Sequence, residues 1–179
     1  NSTNFATAFE RFMRDLNCLK LASESFLFGL ETQHRSVHDR RVSQTTKPDP
    51  RSSVGAAGEL AVRNHATKLN WQIVDHNVRW REGELDLIAI DGNTLVFAEV
   101  KTLVARGPNG TTSYSPFESI DRRKQNQIRG LARRWISDEM RRLSDPRDGQ
   151  INSFRFDAFA VTLSRQHEVL SIEHLEDAF

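Results

Sequence analysis

Asp86, Glu99 and Lys101 have the types and spacing that metal-assisted phosphate chemistry uses. Asp86 stands between Leu85 and Leu87, and Glu99 and Lys101 flank Val100, so all three are charged groups set in apolar runs. A carboxylate in such surroundings is costly unless a counter-charge or a metal compensates it. Carboxylate oxygens suit hard cations such as Mg²⁺, which take few protein ligands because water and phosphate complete the shell. Such an ion polarises a phosphate and lowers the pKa of bound water. A lysine beside it can orient or deprotonate that water, or offset developing negative charge. Glu59 would add a ligand if its helix lay against the end of the strands. The same spacing equally fits Asp86 or Glu99 paired with Lys101 inside a sheet, and spacing alone leaves both readings open.

The elements that must position these residues follow from the pattern around them. Residues 83–102 read as two strands joined by a tight turn. Leu85, Leu87 and Ala89 are expected on one face of the first strand, with Asp86, Ile88 and Ile90 on the other. On the second strand Leu95, Phe97, Glu99 and Lys101 share a face, with Val96, Ala98 and Val100 opposite. Both faces are otherwise apolar, as in a sheet covered on both sides by helices. An Asp91-Gly92 loop would set Asp86 opposite Phe97, roughly 7–8 Å diagonally from Glu99. A Gly92-Asn93 loop would set Asp86 directly opposite Glu99, and a three-residue loop would part them to different faces.

Before this pair, residues 55–70 predict a helix starting near Gly55–Ala57 with Leu60, Ala61 and Leu69 buried. Gly58 inside it costs ~1 kcal/mol against Ala, which suggests close approach of another backbone. Residues 71–80 predict a strand. After Thr102 comes a loop, Ala105 to Pro116, then a helix over 118–143 with Ser119 as its N-cap and Asp121 in the first turn. Ile128, Leu131, Trp135 and Ile136 form its apolar stripe. Between 118 and 142 there are eight Lys/Arg against four Asp/Glu, with Arg122, Asn126, Arg129 and Arg133 along one side. That is a solvated face or a phosphate-contacting one. Strands over Phe154–Leu163 and Val169–Ile172 complete the pattern, and the first of them requires a parallel crossover from the 94–102 strand.

Length and composition set the frame. The 179 residues suffice for one ordinary domain plus appendages. Residues 1–30 hold an amphipathic stripe of Phe5, Phe9, Phe12, Leu16 and Leu19, expected to be a helix that docks onto the domain or onto a second copy. Residues 31–54 are polar and basic, read as a linker with a nucleic-acid-binding arm as the alternative. Residues 55–179 form the main domain. With 25 Lys/Arg and 24 Asp/Glu the net charge is +1, so the distribution of charge matters more than its sum. The single cysteine, Cys18, excludes an internal disulfide and a cysteine-cluster zinc site. No apolar run matches a membrane span and no secretory pattern opens the chain, so the expectation is a cytoplasmic protein without a membrane partner. The six histidines show no ligand spacing outside His34 and His38 in the linker, and no phosphate-loop or nucleophile-elbow motif occurs.

Gly83-Glu84-Leu85-Asp86 followed by Glu99-Val100-Lys101 after a hairpin resembles the PD-(D/E)XK nuclease superfamily. More narrowly, the chain resembles the YraN-like family of predicted bacterial endonucleases related to archaeal Holliday-junction resolvases. Gly55-x-x-Gly58-Glu59, Asn77-x-Arg79, Gly83 to Ile88, Val96 to Thr102, Lys124 with Ile128, Arg155-Phe156-Asp157 and Ala178-Phe179 carry this likeness, over about residues 55–179. The resemblance implies an α/β, restriction-endonuclease-like fold: a central mixed β-sheet flanked by helices, here with an N-terminal helical extension. It implies a metal-dependent nuclease hydrolysing DNA, branched or single-stranded substrates included. Asp86, Glu99 and Glu59 would be metal ligands for Mg²⁺, with Mn²⁺ substituting, and Lys101 the catalytic lysine. Arg122, Lys124, Arg129 and Arg133 would hold the phosphate backbone, and a homodimer would serve to engage a junction. The role of Glu84 stays open between assisting the site and pairing with a basic residue. His65, Ala66, Asn70 and Leu103 depart from the family pattern, at positions that touch packing and phosphate contact. The alternative class is a non-catalytic nucleic-acid-binding or scaffold protein that keeps the fold.

Overall fold

The computed structural model describes residues 50–105, 116–143 and 151–179, together with Arg11. The N-terminal stripe, most of the linker and most of the 105–116 loop therefore lie outside the described residues. Five strands, β1 (Gln72–Trp80), β2 (Gly83–Asp91), β3 (Thr94–Val104), β4 (Ser153–Leu163) and β5 (Val169–Leu175), form one sheet in the order β1-β2-β3-β4-β5. β1, β2 and β3 are an antiparallel meander, β3 and β4 run parallel, and β5 returns antiparallel to β4. Helix α1 (Pro50–Lys68) precedes the sheet, and α2 (Arg122–Leu143) is the crossover between β3 and β4. This is the expected α/β arrangement, a mixed sheet flanked by helices. Among the described residues, no helix is long and apolar enough to cross a membrane.

Alternation along the central strands builds two cores. Leu95 and Phe97 of β3, with Ile88 of β2 and Phe156 of β4, pack with Ile128, Leu131, Ala132, Trp135 and Ile136 of α2. Val96 and Ala98, with Leu87, Ala89 and Phe159, pack with Ala61, Val62 and Ala66 of α1. A strand with a helix on each side must be apolar at both parities, which is why β3 is apolar without a break from Leu95 to Ala98.

Three local expectations change. Helix α1 starts at Pro50, inside the stretch read as linker; proline at the start of a helix lacks an N–H that would be unpaired there anyway. Its buried seam is Gly58, Val62 and Ala66 with Ala61, whereas Leu60 and Leu69 are 50% and 46% exposed. Small residues define this seam because a Cβ on Gly58 would come within 1.9 Å of Thr102 Oγ1, so the helix rests almost directly on β3. Finally, α2 begins at Arg122, after a separate turn over Pro116–Ser119. Asp121 rather than Ser119 is the N-cap, its Oδ1 accepting from Lys124 N at 2.8 Å.

A buried charge cluster fastens the end of the chain. Asp157 of β4 is fully buried and accepts from Arg155 Nε and Nη2 at 2.9–3.1 Å and from Asp177 N at 3.1 Å, with His174 Nε2 at 2.8 Å. Ala178 N donates to Phe156 O at 2.7 Å, and Phe179 stacks on Phe156 with centroids 5.5 Å apart. The Arg155-Phe156-Asp157 and Ala178-Phe179 motifs thus meet in one structural lock.

Gly58→Ala tests the close approach. Helix propensity alone favours Ala by ~1 kcal/mol, but overpacking against the short Thr102 side chain costs about 1–3 kcal/mol. Urea denaturation of the variant is expected to show a net loss of stability.

Candidate acidic site at the strand fork

The site sits where β2 parts from β3. The hairpin between them pairs Asp91 with Thr94, leaving Gly92-Asn93 as a two-residue loop with Gly92 at φ 58°. Glycine at the first central position is the type II′ signature, so the second of the two-residue registers is the one adopted. The β2–β3 ladder runs from Asp91–Thr94 to Leu87–Ala98 and goes no further. Beyond it, Glu84 and Leu85 pair with β1, while Glu99 to Val104 pair with β4.

Asp86 bridges the opening. Its Oδ2 accepts a hydrogen bond from Val100 N at 2.8 Å, replacing a ladder bond with a side-chain bond. The regular alternation also breaks here, because Leu85 joins Ile88 in the α2-side core although the sequence pattern puts them on opposite faces. The strand opposite is irregular too. Asn77 of β1, flanked by the His76–Leu87 and Val78–Leu85 pairs, takes a left-handed φ of 53°, a conformation that asparagine tolerates better than most residues. Its Oδ1 is buried without a hydrogen-bond partner.

Glu99 lies across the fork, on the α2 face of β3, and is 3% exposed. Its Oε1 receives two ammonium groups, Lys101 Nζ at 2.6 Å and Lys124 Nζ at 2.9 Å. The carboxyl of Asp86 is pushed up from 3.8 to about 7, first by burial and then by the nearby charge of Glu99, with Glu59 adding a smaller push. The Val100 N–H and the Lys124 charge oppose the rise without cancelling it. Two carboxylates close enough to repel, inside a water-poor fork, make a site with a surplus of negative charge.

The residues named from the sequence divide clearly by position. Asp86, Glu99 and Lys101 come together. Glu59 is half-buried and within electrostatic reach of Asp86, carried there because Gly58 seats α1 on Thr102. Lys124 belongs to the acidic site through Glu99. Arg122 is exposed, whereas Arg129 and Arg133 are half-buried. The guanidinium of Arg129 lies 5.4 Å from the Phe179 ring and 5.8 Å from that of Phe156. Glu84 pairs with Arg79 at 2.9 Å, so Asn77-x-Arg79 and Gly83-Glu84-Leu85-Asp86 face each other across one strand pair. Lys124, expected from the sequence among the residues that hold a phosphate backbone, lies on Glu99; its position on the helix gave no sign of that acid.

Among the described residues, no three His, Cys, Asp or Glu stand close enough to form a ready-made metal cage. The donor set still suits a hard divalent cation that needs one or two carboxylates and brings its own water. Asp86 and Glu99 would hold it, and its charge would offset both the burial and the repulsion from Glu99 that press on Asp86.

The residues from 58 to 161 match the model of a family described as "Uncharacterised protein family UPF0102". A UPF0102 protein of Rhodococcus jostii (strain RHA1) is 39% identical over 127 residues, which are 71% of this chain and 96% of that protein. One of Geotalea uraniireducens (strain Rf4) is 40% identical over 129 residues, 71% of this chain and 89% of that protein. One of Chlorobium chlorochromatii (strain CaD3) is 31% identical over 136 residues, 74% of this chain and 95% of that protein.

The raised pKa of Asp86 sets the sign of a stability measurement. Between pH 3.8 and about 7 the unfolded chain has released the proton and the folded protein retains it, so the stability associated with neutral Asp86 falls as pH rises through that window. Asp86→Asn cannot ionise and can still accept from Val100 N. In the absence of metal it is expected to stabilise the protein, by about 1–3 kcal/mol more at pH 8 than at pH 5. Chemical denaturation at the two pH values checks this.

Proposed function

The chain belongs to the uncharacterised protein family UPF0102, and from the site it carries we propose that it is a metal-dependent nuclease hydrolysing phosphodiester bonds in DNA, branched or single-stranded substrates included. The observation that carries this reading is the pair of buried carboxylates, Asp86 and Glu99, at a strand fork with Lys101 on Glu99. Folding alone does not favour such a pair, since burial and mutual repulsion raise the energy of the ionised form.

In this reading Asp86 and Glu99 hold Mg²⁺, for which Mn²⁺ substitutes, and Glu59 supports the site from α1. When bound, the cation supplies Lewis acidity at the phosphate and a lowered pKa for water. The Val100 N–H holds Asp86 Oδ2 toward β3, so that carboxylate stays aimed across the fork. Lys101 Nζ, tied to Glu99 Oε1 and 29% exposed, can donate to a phosphate oxygen or to the attacking water. Its positive charge offsets the negative charge that develops as the phosphodiester bond breaks. Arg122, exposed at the start of α2, would contact the nucleic-acid backbone, which accepts basic side chains without regard to sequence.

One observation favours the non-catalytic alternative: Glu99 already has two ammonium partners, as a structural ion pair would. The two readings separate on cleavage. A panel of duplex, single-stranded, flap and four-way DNA is expected to be cut with Mg²⁺ or Mn²⁺ and left intact with chelator. Asp86→Ala, Glu99→Ala and Lys101→Ala should each reduce cleavage at least ~100-fold, with circular dichroism unchanged. Cleavage by these variants at the parent rate would reject the assignment.

A further inference from the structure

We infer that Lys124 is a displaceable counter-ion: it neutralises Glu99 while the site is metal-free and leaves Glu99 when a divalent cation binds. This rests on the metal-dependent reading above and assigns Lys124 a positioning role inside the site.

The geometry carries it. Lys101 and Lys124 converge on the same oxygen, Glu99 Oε1, at 2.6 and 2.9 Å. A carboxylate oxygen that bonds a divalent cation cannot keep two ammonium groups against it, because each repels the ion at short range. Lys101 is tied to the strand two residues from Glu99, so its position is fixed by β3 itself. Lys124 comes from another element, at the third residue of α2. Its backbone N–H is held by the Asp121 cap, which leaves the side chain to move alone. The first turn of a helix is also an unfavourable place for a cation, so Glu99 is what keeps the ammonium there. The side chain is 24% exposed against 3% for Glu99, which gives it a way out toward solvent; Lys101 is exposed to a similar degree, so what sets Lys124 apart is that it comes from another element. Asp86 feels the Lys124 charge as well, so that one ammonium screens both acids of the pair.

Removing Lys124 therefore has opposite consequences for the two states. Lys124→Met loses a counter-ion in the metal-free protein and loses only a repulsive neighbour in the loaded one. Mn²⁺ titrated calorimetrically into parent and variant is expected to bind the variant about tenfold or more tightly. Thermal melts should show the variant less stable than the parent without metal, with the deficit closing at saturating Mn²⁺. A purely structural ion pair would instead give the same deficit in both conditions and an affinity within twofold of the parent, and that result overturns the inference. If the parent binds no Mn²⁺, this inference and the nuclease reading fall together. If the parent binds Mn²⁺ and Asp86→Ala abolishes binding while Lys124→Met changes nothing, only the counter-ion role falls.

Discussion

The hydrogen bond from Val100 N to Asp86 Oδ2 is the interaction on which the site depends. It stands at the point where the β2–β3 ladder ends and each strand goes on paired with its outer neighbour alone. Two strands that diverge leave backbone groups without ladder partners, and a side chain that satisfies one of them fixes the angle of opening. Here the side chain is also the acid of the candidate site. The same bond therefore serves the fold and holds the carboxylate beside Glu99.

The helices complete what the fork begins, one from each face. On one side Gly58 lets α1 settle against Thr102, which brings Glu59 toward the acids. On the other, Asp121 caps α2 so that its first turn delivers Lys124 to Glu99. Charge at the site is thus assembled from four separate segments, with like and unlike charges opposed. The balance is incomplete: burial first and the charge of Glu99 second leave Asp86 as a carboxyl pushed up to about 7. Contrast the Asp157 cluster, where one buried carboxylate receives Arg155, His174 and the Asp177 N–H. Both acids are buried. The one with its hydrogen bonds met by fixed groups holds the chain end in place, and the one left in surplus belongs to the candidate site.

Much of this was legible because the residues carry their own constraints. The double apolar parity of 95–98 required a helix on each face, and Leu95/Phe97 and Val96/Ala98 do divide between the two cores. Gly58 announced the close approach of another backbone; the group that meets it is the side chain of Thr102. Asn70 takes φ 62° at the end of α1, with Trp71 N bonded to Ala66 O and Asn70 N to Thr67 O; that cap needs a left-handed residue, and asparagine serves. Leu60 and Leu69 are apolar and yet stay exposed. The seam was set by how near the backbone could come, which favours glycine and alanine over leucine.

The sequence by itself determined the set of acids, the lysine beside them and the two-sided sheet, since these follow from residue type and from period-two alternation. It limited the hairpin to a few registers and could not choose among them, because adjacent loop choices differ by small backbone preferences. Only the tertiary structure decided that Gly92-Asn93 turns the chain, that the strands part after Leu87–Ala98, and that Leu85 leaves its alternation. It alone placed Lys124 on Glu99 and Glu84 on Arg79. The reason is common to all of these. Alternation and propensity act along a chain, whereas the meeting of charges from β2, β3 and two helices is settled by how those elements pack, and no local pattern records it.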